Sequence, residues 1–153
     1  MGFLISMHFK IKMNTVSTIS LLQSRLDSLA QQIGNTPLVP IRRLNTQPGV
    51  ELFVKLEWHQ LGQSVKARAA YQIVLDAVNA RLLHENIVLL DATSGNTGIA
   101  YAAIGAATGI KVQLVVPANI SVTRRQILNA LGAELVFSSP LEGTDGSQRL
   151  ARE

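Results

Sequence analysis

From residue 87 to residue 153, short aliphatic runs alternate with segments of helical period, and this alternation constrains the fold more than any other feature. IVLL at 87–90, KVQLVV at 111–116 and ELVF at 134–137 read as strands. Between them, an Ala-rich stretch around 97–108 and a segment capped by Ser121 and ending near Leu131-Gly132 read as helices. Strands separated by helices pair in parallel, and a parallel sheet must be covered on both faces. The sequence therefore predicts an α/β fold of three layers, with helices on both faces of a parallel sheet. After a loop from Ser138 to Gly146, SQRLARE at 147–153 predicts the opening turns of one more helix. A helix with no strand after it makes the α/β unit incomplete.

Upstream, the pattern is less regular. Residues 1–18 carry no period and are expected to be a loose extension, with the folded portion spanning 19–153. In 19–33, Leu22, Leu26, Leu29 and Ile33 fall on one helical face. A Gly34-Asn35-Thr36-Pro37 turn leads into an extended LVPI. ELFVKLE at 51–57 alternates as a strand does, with Leu52, Val54 and Leu56 on one side. Residues 64–83 read as a long helix with Ser64 as N-cap.

Composition excludes several function classes. With 47% hydrophobic and 16% charged residues in 153, the chain has material for a core and too little charge for disorder. There is no cysteine, so disulfide scaffolds and thiolate chemistry are ruled out. His8, His59 and His84 are scattered without ligand spacing, so no metal site is expected. The net charge of +4 is spread out, with Arg42-Arg43 and Arg124-Arg125 as the adjacent basic pairs, and no nucleic-acid partner is expected. The longest low-charge stretch, Ile99 to Ile110, falls short of the roughly 20 apolar residues of a membrane span. The first residues show no secretory signal. Gly2 and Ser6 match a myristoylation pattern that is short enough to arise by chance. A cytoplasmic location is expected.

Two segments carry candidate chemistry. On a helical wheel from Val65, Arg68, Gln72, Asp76 and Asn79 gather on one side and Ala70, Ile73, Val74 and Ala77 on the other. Lys66 falls within the apolar arc and in the first turn, where the helix dipole disfavours a cation. A neutral lysine amine is the group that Schiff-base chemistry requires. The alternative is a lysine that snorkels from the helix end to water. The second segment, Thr93-Ser94-Gly95-Asn96-Thr97-Gly98, joins a strand to a helix at the carboxyl end of a parallel sheet, where ligands of such sheets bind. Its hydroxyls, amide and free N–H groups suit a carboxylate or phosphate. It is neither a P-loop nor GxGxxG. A capped βα turn uses the same residue types without any ligand.

Taken together with IGNTPLVPI at 33–41, KLE at 55–57, GQSVKAR at 62–68, TSGNTGIA at 93–100, VVPANIS at 115–121 and LGAELVF at 131–137, the chain resembles the cysteine synthase and cystathionine β-synthase family. These are pyridoxal 5′-phosphate enzymes with the tryptophan synthase β-like fold. The resemblance implies that Lys66 carries the cofactor aldehyde and later acts as general base. It implies that Asn96 bonds the cofactor's 3′-oxygen, and that Thr93, Ser94 and Thr97 hold the substrate α-carboxylate. It implies β-replacement on an activated serine such as O-acetylserine, giving cysteine, and a homodimer in full-length members. Cystathionine or diaminopropionate synthesis, serine/threonine dehydration, a non-catalytic remnant and a plain binding module remain as alternatives.

Against the family pattern, Gln60-Leu61-Gly62-Gln63-Ser64 stands where Asn-Pro-x-Gly-Ser is usual, and Ala67 stands where an Asp often follows the lysine. The family's phosphate-binding and pyridine-nitrogen elements do not appear after residue 137. The chain is accordingly expected to hold the N-terminal part of the large domain and most of the small domain, and to be inactive alone.

Overall fold

A computed structural model describes residues 18–153 except 45, 46 and 85. The expected N-terminal extension lies, but for Thr18, outside the described residues. The first helix, α1 (Thr18–Ala30), buries Leu22, Leu26 and Leu29 of the expected stripe, and it ends before Ile33, which lies in the following turn and is partly buried against the core. After the turn at 34–37, β1 (Leu38–Ile41) and β2 (Leu52–Lys55) pair antiparallel, Leu38 opposite Lys55 and Ile41 opposite Leu52. This hairpin forms a sheet of its own, separate from the parallel sheet that the sequence predicted. A single 3-10 turn, Leu61–Gln63, leads into α2 (Lys66–Asn79).

The second half follows the predicted alternation closely. It consists of β3 (Val88–Asp91), α3 (Asn96–Thr108), β4 (Lys111–Pro117), α4 (Val122–Ala130), β5 (Glu134–Ser138) and α5 (Gly143–Leu150). The three strands form one parallel sheet in the order β3-β4-β5. Ser121 caps α4, its Oγ accepting the Arg124 N–H at 3.4 Å.

Register separates the two faces of the sheet. A Cβ on Gly105 of α3 would stand 2.6 Å from a Val112 methyl and one on Gly98 3.2 Å from a Leu114 methyl, so these side chains face α3. Leu135 pairs with Leu114 and Phe137 with Val116, and the Arg125 guanidinium of α4 lies 4.7 Å from the Phe137 ring. Thus α3 and α4 share one face. Ser138 pairs with Pro117 on the other face, and its Oγ lies 2.7 Å from Ser147 Oγ of α5. The three layers are helix, sheet and helix. The final helix starts at Gly143, earlier than the predicted position at 147, and ends at Leu150. Its opening Gly-Thr-Asp-Gly has poor intrinsic helix propensity, so docking through the buried Ser147 sets its extent.

α3 is the core of the molecule. Apolar nearly all round, it buries Gly98, Ala100 to Gly105 and Thr108 between the sheet and the pair α1 and α2. Gly109 ends it in the left-handed conformation, φ 87°, and Arg25 of α1 donates to the Thr108 carbonyl at 2.7 Å. No helix among the described residues is long and apolar enough to cross a membrane.

Candidate functional site

Ser64 is extended (φ −158°, ψ 164°), and its Oγ accepts the Lys66 N–H at 3.2 Å while its carbonyl accepts the Ala67 N–H. It is therefore the cap of α2, as its sequence position implies. Lys66 does not lie in the buried arc. The buried stripe of α2 is Ala67, Ala70, Val74 and Val78, whereas Ile73 is 52% exposed and Lys66 is exposed beside it. Both α1 and α3 pack on α2 from the side of Ala67 and Ala70, which turns the buried face by roughly 50° from the apolar arc of the wheel. Lys66 makes no ion pair or side-chain hydrogen bond among the described residues. The burial expected for its amine is absent; its place in the first turn is as predicted.

The loop before the cap contains two left-handed residues in succession, Gly62 (φ 69°) and Gln63 (φ 53°). A Cβ on Gly62 would stand 3.3 Å from Ala100 Cα and 3.6 Å from its N. Glycine here lets the backbone of the lysine loop rest directly on the first turns of α3. Gln63 adopts a similar conformation with a side chain attached, where an L-residue is disfavoured by roughly 1–2 kcal/mol. The family pattern has glycine at this position, so the departure falls at a left-handed position, where glycine is favoured.

β3 ends at Asp91, and Thr93 to Gly95 lead into α3 at Asn96. Gly95 precedes the helix in extended conformation and supplies no capping side chain, and the first turn of α3 holds no acidic residue. A Cβ on Gly98 would meet the Thr93 carbonyl oxygen at 2.9 Å and Leu114 Cδ1 at 3.2 Å. The loop is thereby folded tightly over the helix start. Thr93, Ser94 and Thr97 are half-buried and Asn96 is exposed. Tyr101, one turn on, is buried; burial and then the Asp91 charge push its phenol above the usual range. The Gly62–Ala100 contact brings the Lys66 segment and the 93–98 loop to one end of the molecule. No side-chain hydrogen bond joins Lys66 to Thr93, Ser94, Asn96 or Thr97 among the described residues.

Sequence reasoning missed a polar cluster beside the lysine. The Glu57 carboxylate accepts from Arg68 Nε (3.0 Å) and Nη2 (3.0 Å), Thr36 Oγ1 (2.8 Å) and Gln60 Nε2 (2.5 Å). Arg68 Nη2 also donates to Thr36 Oγ1 at 3.3 Å, and Gln60 Oε1 accepts the Gly34 N–H at 3.0 Å. Lys55 Nζ donates to the Thr36 carbonyl. The Arg68 bonds first, then Thr36, hold the Glu57 carboxyl down at about 2. The available signal was that GNTP, KLE and KAR all lie in segments that carry the family resemblance; nothing in their spacing pairs residues 21 and 32 positions apart.

The chain matches the family described as "Pyridoxal-phosphate dependent enzyme" over residues 29–153. It is 45% identical over 130 residues to a cysteine synthase of Aquifex aeolicus, covering 83% of this chain and 40% of that protein. The fold superposes on a cysteine synthase of Entamoeba histolytica with a TM-score of 0.76 at 30% identity, covering 98% of this chain and 42% of that one. A hydrogen sulfide-producing enzyme of Fusobacterium nucleatum gives 0.75 at 35% identity, covering 81% and 40%. The chain thus spans about two-fifths of the length of the relatives it matches.

Proposed function

The chain belongs to the pyridoxal-phosphate dependent enzyme family, and from that premise we propose that it carries the lysine and the carboxylate-binding loop of a site for β-replacement on an activated serine. The substrate is of O-acetylserine type, the nucleophile is sulfide and the product is L-cysteine. The observation that supports this reading is the Gly62–Ala100 contact, which seats the Lys66 segment against the helix that opens with Asn96 and Thr97.

The residues present fit the aldehyde end of the cofactor. Among the described residues Lys66 Nζ has no ion pair, and its side chain is exposed and open to an incoming aldehyde. The start of α3 offers N–H groups and hydroxyls with no competing carboxylate in its first turn, a setting that suits an anionic ligand. When bound, pyridoxal phosphate supplies an electron sink for the pair left by α-proton removal. Lys66 would hold the cofactor through Nζ and would take the substrate's α-proton at that atom. Asn96 would donate its amide to the cofactor's 3′-oxygen. Thr93, Ser94 and Thr97 orient the substrate through its α-carboxylate, which fixes which Cα bond faces Lys66. The same reading gives a cytoplasmic protein, and a homodimer for full-length members of the family.

Incubation with pyridoxal phosphate, borohydride reduction and peptide mapping test the assignment. The label is expected to concentrate on Lys66 over Lys10, Lys12, Lys55 and Lys111, and to vanish from that peptide in Lys66→Ala. Even labelling of all lysines overturns it. Because Lys66 and Asn96 stand open to water in this chain, cysteine formation from O-acetylserine and sulfide by the chain alone is expected at background. Steady turnover would contradict that expectation.

A further inference from the structure

We propose that Glu57 and Arg68, bracketed by Thr36 and Gln60, are positioning residues that set the placement of Lys66. The inference rests on the role given to Lys66 above and goes beyond it by naming what holds that lysine's backbone in place. The Ser64 cap bonds the Lys66 N–H, but the side chains of the first turn of α2 on that side stay open: Val65 is half exposed, and Lys66 and Ala69 are exposed. Arg68 lies in the same turn, and its guanidinium meets both oxygens of Glu57 at 3.0 Å. A planar fork on a carboxylate fixes rotation as well as distance, which a point charge does not.

The carboxylate is itself held. Glu57 follows β2 by two residues, and the Leu56 N–H bonds the Pro37 carbonyl at 2.9 Å. Thr36 and Gln60 occupy the remaining acceptor positions of the carboxylate, and Gln60 in turn holds the Gly34 N–H. The Leu61 N–H bonds the Gln32 carbonyl at 3.1 Å. A Cβ on Gly34 would meet Arg68 Nη1 at 3.0 Å, so the turn closes directly on the guanidinium. Three segments distant in sequence, 32–37, 55–61 and 66–68, thereby become one rigid support two residues from the lysine. Thr36 and Gln60 are buried, but the charged pair itself, Glu57 and Arg68, is partly open to solvent, where an ion pair adds little to stability. The geometry they impose is the larger consequence.

The test compares the intact chain with Arg68→Lys and Glu57→Gln. Arg68→Lys keeps the charge near Lys66 and removes the fork; Glu57→Gln keeps the shape and removes the charge. Each protein is labelled with pyridoxal phosphate and borohydride, well below its own Tm, and label on Lys66 is read as a ratio to label on Lys111, which lies on β4 away from the cluster. A role confined to stability shifts Tm and leaves this ratio unchanged. Positioning predicts that both variants melt within a few degrees of the parent while the ratio falls roughly tenfold. If one variant fails to fold, the other decides. A parent that prefers Lys66, with folded variants that keep the same ratio, overturns the positioning role alone. A parent with no preference overturns the Lys66 assignment and this inference together.

Discussion

Among single residues, the consequences with the clearest sign come from backbone and charge. Gln63 sits at φ 53° beside a glycine that needs its own left-handed conformation. Gln63→Gly should raise stability by up to about 1 kcal/mol, relieved strain exceeding the added freedom of the unfolded chain; an unchanged or lower denaturation midpoint would contradict it. Gly98→Ala should do the reverse, because the new methyl meets the Thr93 carbonyl, a backbone atom that cannot rotate away. A loss of about 1–3 kcal/mol is expected in urea melts, with the 93–98 loop displaced. Glu57 supplies a pH dependence. Its carboxyl is held at about 2 against an ordinary 4.5, so between those values the unfolded chain binds more protons than the folded one. Its contribution is therefore full above about pH 5 and is lost as pH falls towards 2. Tm measured against pH should fall less steeply over this window in Glu57→Gln than in the parent.

For secondary-structure elements, α2 shows what a helix keeps of its own pattern and what its neighbours decide. Val74 is fully buried and Ile73, the next residue back, is half exposed. Val74→Ala should cost about 2 kcal/mol and Ile73→Ala less than about 1 kcal/mol, read from paired denaturant titrations. A single-helix wheel ranks these two residues together; only the position of α1 and α3 separates them, and the same separation leaves Lys66 outside the core. The α1 stripe, the Ser64 and Ser121 caps, and β3 through β5 were legible because each is set by local period or by a side chain bonding its own turn. The hairpin of β1 with β2, the early start of α5 and the Glu57–Arg68 cluster were not, since each depends on contacts across long stretches of chain. For the candidate site, the glycines of the two loops were visible as residues. Their purpose, to let Gly62 rest on Ala100 and Gly98 on Thr93, appears only when the backbones meet.

In the whole molecule, the two faces of the parallel sheet are covered unequally. α3 and α4 lie over one face, with α1 and α2 behind α3, so Val112, Leu114 and Val116 are buried. On the other face α5 is a helix of 8 residues lying against β4 and β5. It buries Val115, but Val88 and Leu90 of β3 stay 43% and 46% exposed. Among the described residues β3 pairs on one side only, which leaves an edge strand with an apolar face. The separate hairpin adds exposed Leu38, Leu52 and Phe53. Edges of this kind pair with other chains unless they carry charge, proline or a cover. The isolated chain is therefore expected to self-associate at micromolar concentrations and to bind hydrophobic dyes. Replacing Val88 and Leu90 together with lysine should reduce both effects with little change in Tm, because neither side chain is part of the packed core. Light scattering after size exclusion and dye fluorescence measure this directly. A parent that elutes as a monodisperse monomer with no dye signal would show that this face does not behave as an open edge. A double variant that associates as strongly as the parent would move the cause to the hairpin.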